Sequence, residues 1–315
     1  MPSSLLIFLH GSGSSGLELR TFVDTVPLDE RDRSFGRALR EDLNCDLLCP
    51  TAVERPYTPN LGMMSNVWFD RSSQFMEKGL ADEREDGEGI QASVTQIMTI
   101  ITANEAKYDN LFIGGFSMGG GLCLHLLASS HLPSKVRGVF TIGSFLVQSS
   151  QALSARYSER TRALPLLMMH GKDDSLIRLD WGKQTALSLH MQGLDVQFEE
   201  QPAADHVLHE EQLASALEWM QEILANASPT LAPPPGRGGD TSREGQEVAP
   251  DIPHSVEHLG SGRVRVSFLL PEQLHDICTA RPVLACGGQF KLRRSAGGRS
   301  VETEFISANP ESTAE

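Results

Sequence analysis

The segment Leu111-Phe-Ile-Gly-Gly-Phe-Ser-Met-Gly-Gly-Gly121 leaves the chain few choices of fold. A short all-apolar run reads as a strand buried on both faces. The apolar run at 118–130 reads as a helix. Between them, Ser117 is flanked at −2 and +2 by Gly115 and Gly119. Side chains at those two positions would collide with a serine on a tight strand-to-helix turn, so both must be glycine. The Gly115-Phe-Ser117-Met-Gly119 pattern alone is weak, because glycine and serine are common here. Its position between strand and helix makes it specific: the serine is raised over the carboxyl edge of a sheet. The bland alternative is a glycine-rich turn with an idle serine.

Up to about residue 225, apolar runs alternate with amphipathic stretches. Residues 5–9, 45–49, 111–115, 136–142, 164–170 and 196–200 are expected as strands. Residues 31–42, 89–106, 118–130, 180–192 and 210–224 are expected as helices. Such alternation predicts an α/β architecture, a mostly parallel central sheet with helices on both faces. Composition then changes. Six prolines and six glycines fall within 226–262, which reads as a flexible linker. Beyond it, 263–268 alternates at period two, 271–280 suits a short helix, and 287–292 with 300–305 suits a hairpin. The expected division is a main domain over 1–225, a linker over 226–262 and a small C-terminal extension over 263–315, of α+β or disordered character.

Composition excludes several functions. Lys+Arg is 27 against Asp+Glu 41, a formal net charge of −14. That opposes a general nucleic-acid binder and a polybasic membrane anchor. The one long uncharged stretch, 111–130, is broken by five glycines and carries His125, so stable membrane insertion is not expected. No basic leader precedes the first apolar run. The five cysteines, Cys45, Cys49, Cys123, Cys278 and Cys286, form no CxxC pair. Free thiols in a reducing, cytoplasmic setting are expected, and no metal site.

A serine hydroxyl needs a base and an acid that orients the base. In a sheet of this type they follow the nucleophile in the order acid, then histidine. Asp173 and Asp174 both lie just past the strand ending at His170. His206 lies on the loop after the last strand, whereas His209 reads as the first turn of the next helix. His125 suits packing on its helix, and His131 and His190 suit the surface. Two backbone donors are needed for an oxyanion. Met118 N–H follows the nucleophile, and Ser12 N–H lies on the turn His10-Gly-Ser-Gly-Ser-Ser-Gly16. That turn matches neither a P-loop, lacking Gly-Lys-Ser/Thr, nor a dinucleotide fingerprint.

These motifs, with Pro50-Thr-Ala, Tyr57-Thr-Pro, Ser65-Asn-Val-Trp-Phe-Asp-Arg71, Gly143-Ser-Phe-Leu and His170-Gly-Lys-Asp-Asp-Ser-Leu, occur in one order over about residues 4–225. Together they resemble the acyl-protein thioesterase/lysophospholipase (carboxylesterase) family. The resemblance implies an α/β-hydrolase fold and a serine hydrolase of carboxylic esters or thioesters, acting on small acyl esters or S-acylated proteins. It implies no cofactor. It maps the nucleophile to Ser117, the acid to Asp174 and the base to His206, and it places Trp68 and Phe69 near the substrate, with ordinary core packing the competing reading for both. Met118 replaces the glutamine typical of the thioesterases, which favours the lysophospholipase-like branch. The family's edge strand before residues 5–9 has no counterpart, so either a misassigned start codon or an exposed sheet edge is expected. Ser175 stands where thioesterases often have proline. The partner of the extension is unknown. Only residues 143–163 separate two strands, which leaves no room for a large lid. A non-catalytic binding module and a serine peptidase are the competing readings.

Overall fold

The computed structural model describes residues 3–28, 32–72, 84–129, 132–202, 204–227, 289–294 and 301–306. Its centre is a six-stranded, all-parallel sheet. The strands are β1 (Ser4–Leu9), β2 (Cys45–Leu48), β5 (Asn110–Phe116), β6 (Val136–Ile142), β7 (Leu166–Gly171) and β8 (Val196–Gln201). Their spatial order is β2-β1-β5-β6-β7-β8. The chain winds outward from β1 to β2, then returns to the other side of β1 and proceeds from β5 to β8. The winding therefore reverses between β1 and β5, and loops leaving the carboxyl ends of those strands open a crevice there.

Helices cover both faces because the strands are apolar on both. From β1, Leu5, Ile7 and Leu9 pack into one cluster with Ile90, Val94, Ile97 and Ile101 of α3 (Gly87–Glu105) and Leu122 and Leu126 of α4 (Met118–Ala128). Phe8 points the opposite way. Its ring lies 6.3 Å from Phe35 of α2 (Phe35–Leu43) and 5.3 Å from Phe140. Trp219 of α7 (Glu210–Ala227) closes that face, 6.4 Å from Phe112 and from Phe140. Period-two alternation thus feeds two separate layers.

Two further helices of this layer system are α1 (Gly16–Thr25) and α6 (Leu179–Met191), with a single turn α5 (Glu159–Arg162) between β6 and β7. A separate antiparallel pair, β3 (Glu54–Tyr57) and β4 (Met63–Asn66), follows β2. Residues 289–294 and 301–306 form β9 and β10, antiparallel with Phe290 opposite Phe305, as the hairpin pattern predicts. Contacts divide the chain after Ile223. The expectations for 263–268, 271–280, His131 and nearly all of the linker fall outside the described residues. The expected helix at 31–42 begins only at Phe35, because the Ser34 side chain accepts from Arg37 N–H and caps it there. No helix among the described residues is long and apolar enough to cross a membrane.

Candidate active site

β5 delivers Ser117 into a turn that few residues tolerate. Its backbone has φ 53° and ψ −119°, outside the ordinary wells for a residue with a side chain. Ser117 N–H donates to Ile142 O at 2.8 Å, and Ser144 Oγ donates to Ser117 O at 2.9 Å. The flanking glycines are sterically required. A Cβ on Gly115 would lie 2.4 Å from the Gly119 carbonyl, and one on Gly119 would lie 2.5 Å from Leu9 O and His10 O.

The neighbouring groups arrive from three other strand ends. His206, on the loop after β8, places Nε2 2.8 Å from Ser117 Oγ and Nδ1 2.8 Å from Asp174 Oδ2. A carboxylate only accepts, so Nδ1 carries the ring proton and Nε2 is left to accept from the serine hydroxyl. The ring of His206 lies against Phe116, centroids 5.2 Å apart. Asp174, just past β7, is buried, and its other oxygen accepts from Ile177 N–H at 2.6 Å and Leu176 N–H at 3.0 Å. Burial opposes its ionisation, but hydrogen bonds from His170, His206 and Ile177 N–H outweigh that and hold the carboxyl far below the usual range. Its neighbour Asp173 is exposed and gives its N–H to Ala204 O. His209 stands apart at the start of α7, where its N–H donates to Gln212 Oε1 at 3.0 Å. Gly143, with φ +58°, lets the chain after β6 pass this pair: a Cβ there would sit 3.3 Å from His206.

The loop after β1 reaches the same spot. A Cβ on Gly11 would lie 3.3 Å from Ser117 Cβ. Neither the Ser12 nor the Met118 N–H has a backbone acceptor among the described residues. This loop is braced from behind. His10 is buried, its Nε2 accepts from Ala52 N–H at 3.0 Å, and its Nδ1 donates to Gly11 O at 2.7 Å. Burial lowers the His10 pKa, consistent with a neutral ring. Trp68 is fully buried, and its indole N–H donates to His10 O at 2.8 Å. Phe69 is also largely buried, and it lines a small cleft together with Arg71, Glu85, His125, Phe145 and Val147. The cleft adjoins the first turn of α4, since a Cβ on Gly121 would touch both Phe69 and Phe145 O at 3.6 Å.

Sequence reasoning missed several neighbours. His170 Nε2 lies 2.8 Å from Ile177 O and 3.4 Å from Asp174 Oδ2, behind the acid. Glu85 Oε1 meets His125 Nε2 at 3.1 Å in a largely buried pair. Arg71 lies over the Phe145 ring at 4.4 Å. The Glu85–His125 and Arg71–Phe145 pairings join residues far apart in sequence, and no local pattern announces them, whereas His170 lies only four residues before Asp174. His190 is half-buried rather than a surface residue. Among the described residues, only His209, Glu210 and Glu211 bring metal-ligand atoms together, and both glutamates are exposed.

Known proteins share this arrangement of elements. A family model described as phospholipase/carboxylesterase matches residues 1–224. Lysophospholipase-like protein 1 of Mus musculus is 35% identical over 226 residues, spanning 69% of this chain and 86% of the relative. Acyl-protein thioesterase 1 of Debaryomyces hansenii is 28% identical, spanning 70% and 91%. The crystal structure of Arabidopsis thaliana SOBER1 has the same fold, with TM-score 0.59 at 24% identity over 70% of this chain and 99% of that one.

Proposed function

Because the chain belongs to the phospholipase/carboxylesterase family of α/β-hydrolases, we propose that it cleaves carboxylic esters or thioesters through an acyl-enzyme on Ser117. The observation that carries this reading is the unbroken path from Ser117 Oγ through His206 to Asp174, each link 2.8 Å. Proton transfer needs that reach.

In this reading His206 Nε2 takes the Ser117 proton as Oγ attacks the acyl carbonyl. Asp174 holds the ring in the required tautomer and stabilises the imidazolium. The Ser12 and Met118 N–H groups stabilise the tetrahedral oxyanion, each contributing on the order of 3 kcal/mol. His206 then protonates the departing alcohol or thiol. It next deprotonates a water, whose oxygen attacks the acyl-Ser117 ester, and returns that proton to Ser117 Oγ as the acyl–oxygen bond breaks and the carboxylic acid leaves. Every proton in this cycle moves through one imidazole. No step calls on a cofactor or metal.

Phe69 and the cleft beside α4 are assigned to the acyl group, and Trp68 acts on substrate only through the His10 loop. The names of the thioesterase and lysophospholipase-like relatives support S-acylated proteins and small acyl esters as substrates. The free thiols Cys45, Cys49 and Cys123 support a cytoplasmic setting. Hydrolysis is assigned to residues 1–225, with 226–262 as linker and 263–315 as an extension. The test is Ser117→Ala with a nitrophenyl ester series. Turnover is expected to fall by about four orders of magnitude or more. Undiminished turnover, or a wild-type chain that a fluorophosphonate does not label at Ser117, sinks the reading.

A further inference from the structure

β7 and β8 pair in register as far as Gly171 opposite Gln201. The pairing does not stop at the sheet. Lys172 N–H donates to Gln201 O at 2.9 Å, and Asp173 N–H donates to Ala204 O at 3.2 Å. The two loops are pressed together here: a Cβ on Gly171 would lie 2.0 Å from Ala204 O. For Ser175 N–H the acceptor across the gap is a side chain. Asp205 Oδ1 accepts it at 2.8 Å. The same oxygen accepts Ser175 Oγ–H at 2.8 Å and the His206 N–H at 2.7 Å. One carboxylate oxygen thus gathers two donors from the residue after Asp174 and one from the residue that bears the imidazole.

Asp205 is exposed, so burial of apolar surface does not account for its place. Hydrogen bonds to an ionised acceptor do, and they are stronger than neutral ones. Ser175 N–H, then His206 N–H and the Ser175 hydroxyl, hold this carboxyl below its ordinary value. We propose that Asp205 is a positioning residue whose carboxylate ties the Asp174 loop to the His206 backbone and so sets the imidazole between Asp174 and Ser117. The proposal rests on the reading of those three residues as the reacting groups. Asp205 itself touches neither the Ser117 hydroxyl nor the Phe69 cleft. Its effect therefore falls on alignment in the transition state rather than on substrate affinity.

The test uses the full chain, 4-nitrophenyl acetate, and the variants Asp205→Ala, Asp205→Asn, Ser175→Ala and the Asp205→Ala/Ser175→Ala pair. Asp205→Ala is expected to lower kcat about ten- to hundredfold while KM stays within about twofold and the unfolding midpoint holds. Asp205→Asn keeps an oxygen that accepts from the same donors and is expected to restore most of kcat. The double variant is expected to be no slower than Asp205→Ala, because the Ser175 hydroxyl acts through the same oxygen. The proposal falls if Asp205→Ala keeps wild-type kcat, if Asp205→Asn is as slow as Asp205→Ala, or if the two substitutions add. The wild-type and Ser117→Ala chains measured alongside separate the two ideas. Activity surviving in Ser117→Ala removes the triad, whereas an inactive Ser117→Ala beside a fully active Asp205→Ala removes only the tie.

Discussion

A methyl group on Gly115 would press into the backbone of Gly119, at 2.4 Å from both its carbonyl carbon and oxygen. Main chain cannot rotate away as a side chain can. Gly115→Ala is therefore expected to destabilise the protein by about 3 kcal/mol or more, read from denaturant unfolding. Gly13 is the control. It has φ +77° with nothing within 4 Å of a built Cβ, so its alanine variant meets only the backbone penalty of roughly 1–2 kcal/mol. Equal costs at the two positions would show that crowding at the bend is not what demands glycine. Ser117 and His206 each sit beside a local signal, a glycine-flanked turn and a loop before a final helix, whereas the strand end narrowed the acid only to Asp173 or Asp174 and the family resemblance pointed to Asp174. Asp205 was not legible, since its role depends on Ser175, thirty residues away.

Among the elements, the loop between β1 and α1 is held by a strut. The Trp68 indole N–H on His10 O fixes the peptide just before Gly11 and Ser12. The Ser93 hydroxyl on Trp68 O fixes Trp68 in turn. Trp68→Phe removes the donor and keeps most of the buried ring. It is expected to lower kcat for esters about tenfold with a smaller effect on KM, because the proposed oxyanion donor Ser12 on that loop loses alignment. Unchanged kcat in a folded variant would deny the strut a part in turnover. The inner strands β1, β5, β6 and β7 could be read from sequence because burial on both faces makes them largely apolar, whereas the edge strands β2 and β8 mix in polar residues. The helix α1 could not be read by periodicity, since exposed Leu17 and Phe22 blur its stripe. Its signal was instead Ser15 followed by Glu18, a cap in which Ser15 Oγ accepts from Glu18 N–H. The β3–β4 pair escaped because Pro56 and half-exposed residues give it no clean alternation.

Across the whole molecule, acid acts on stability through groups the fold keeps neutral or ionised. Burial pushes His190 down to about 4 and lowers His10 as well. Their folded pKa values lie below the unfolded ones, so between about pH 6.5 and 4 the unfolded chain binds more protons and stability falls with pH. Below that range, protonation of Asp174 and Glu85, both held low in the fold, removes further stability. His190→Gln is expected to flatten the limb between pH 6.5 and 4 by up to about 3 kcal/mol, measured as unfolding free energy against pH. An unaltered slope would place the proton uptake elsewhere. The left-handed φ of Ser117 belongs to the same balance sheet. A glycine there would relax the bend, so a screen that rewarded only survival on heating would favour Ser117→Gly and discard the proposed nucleophile. Breeding a hardier version of this hydrolase therefore requires selecting for turnover in every round.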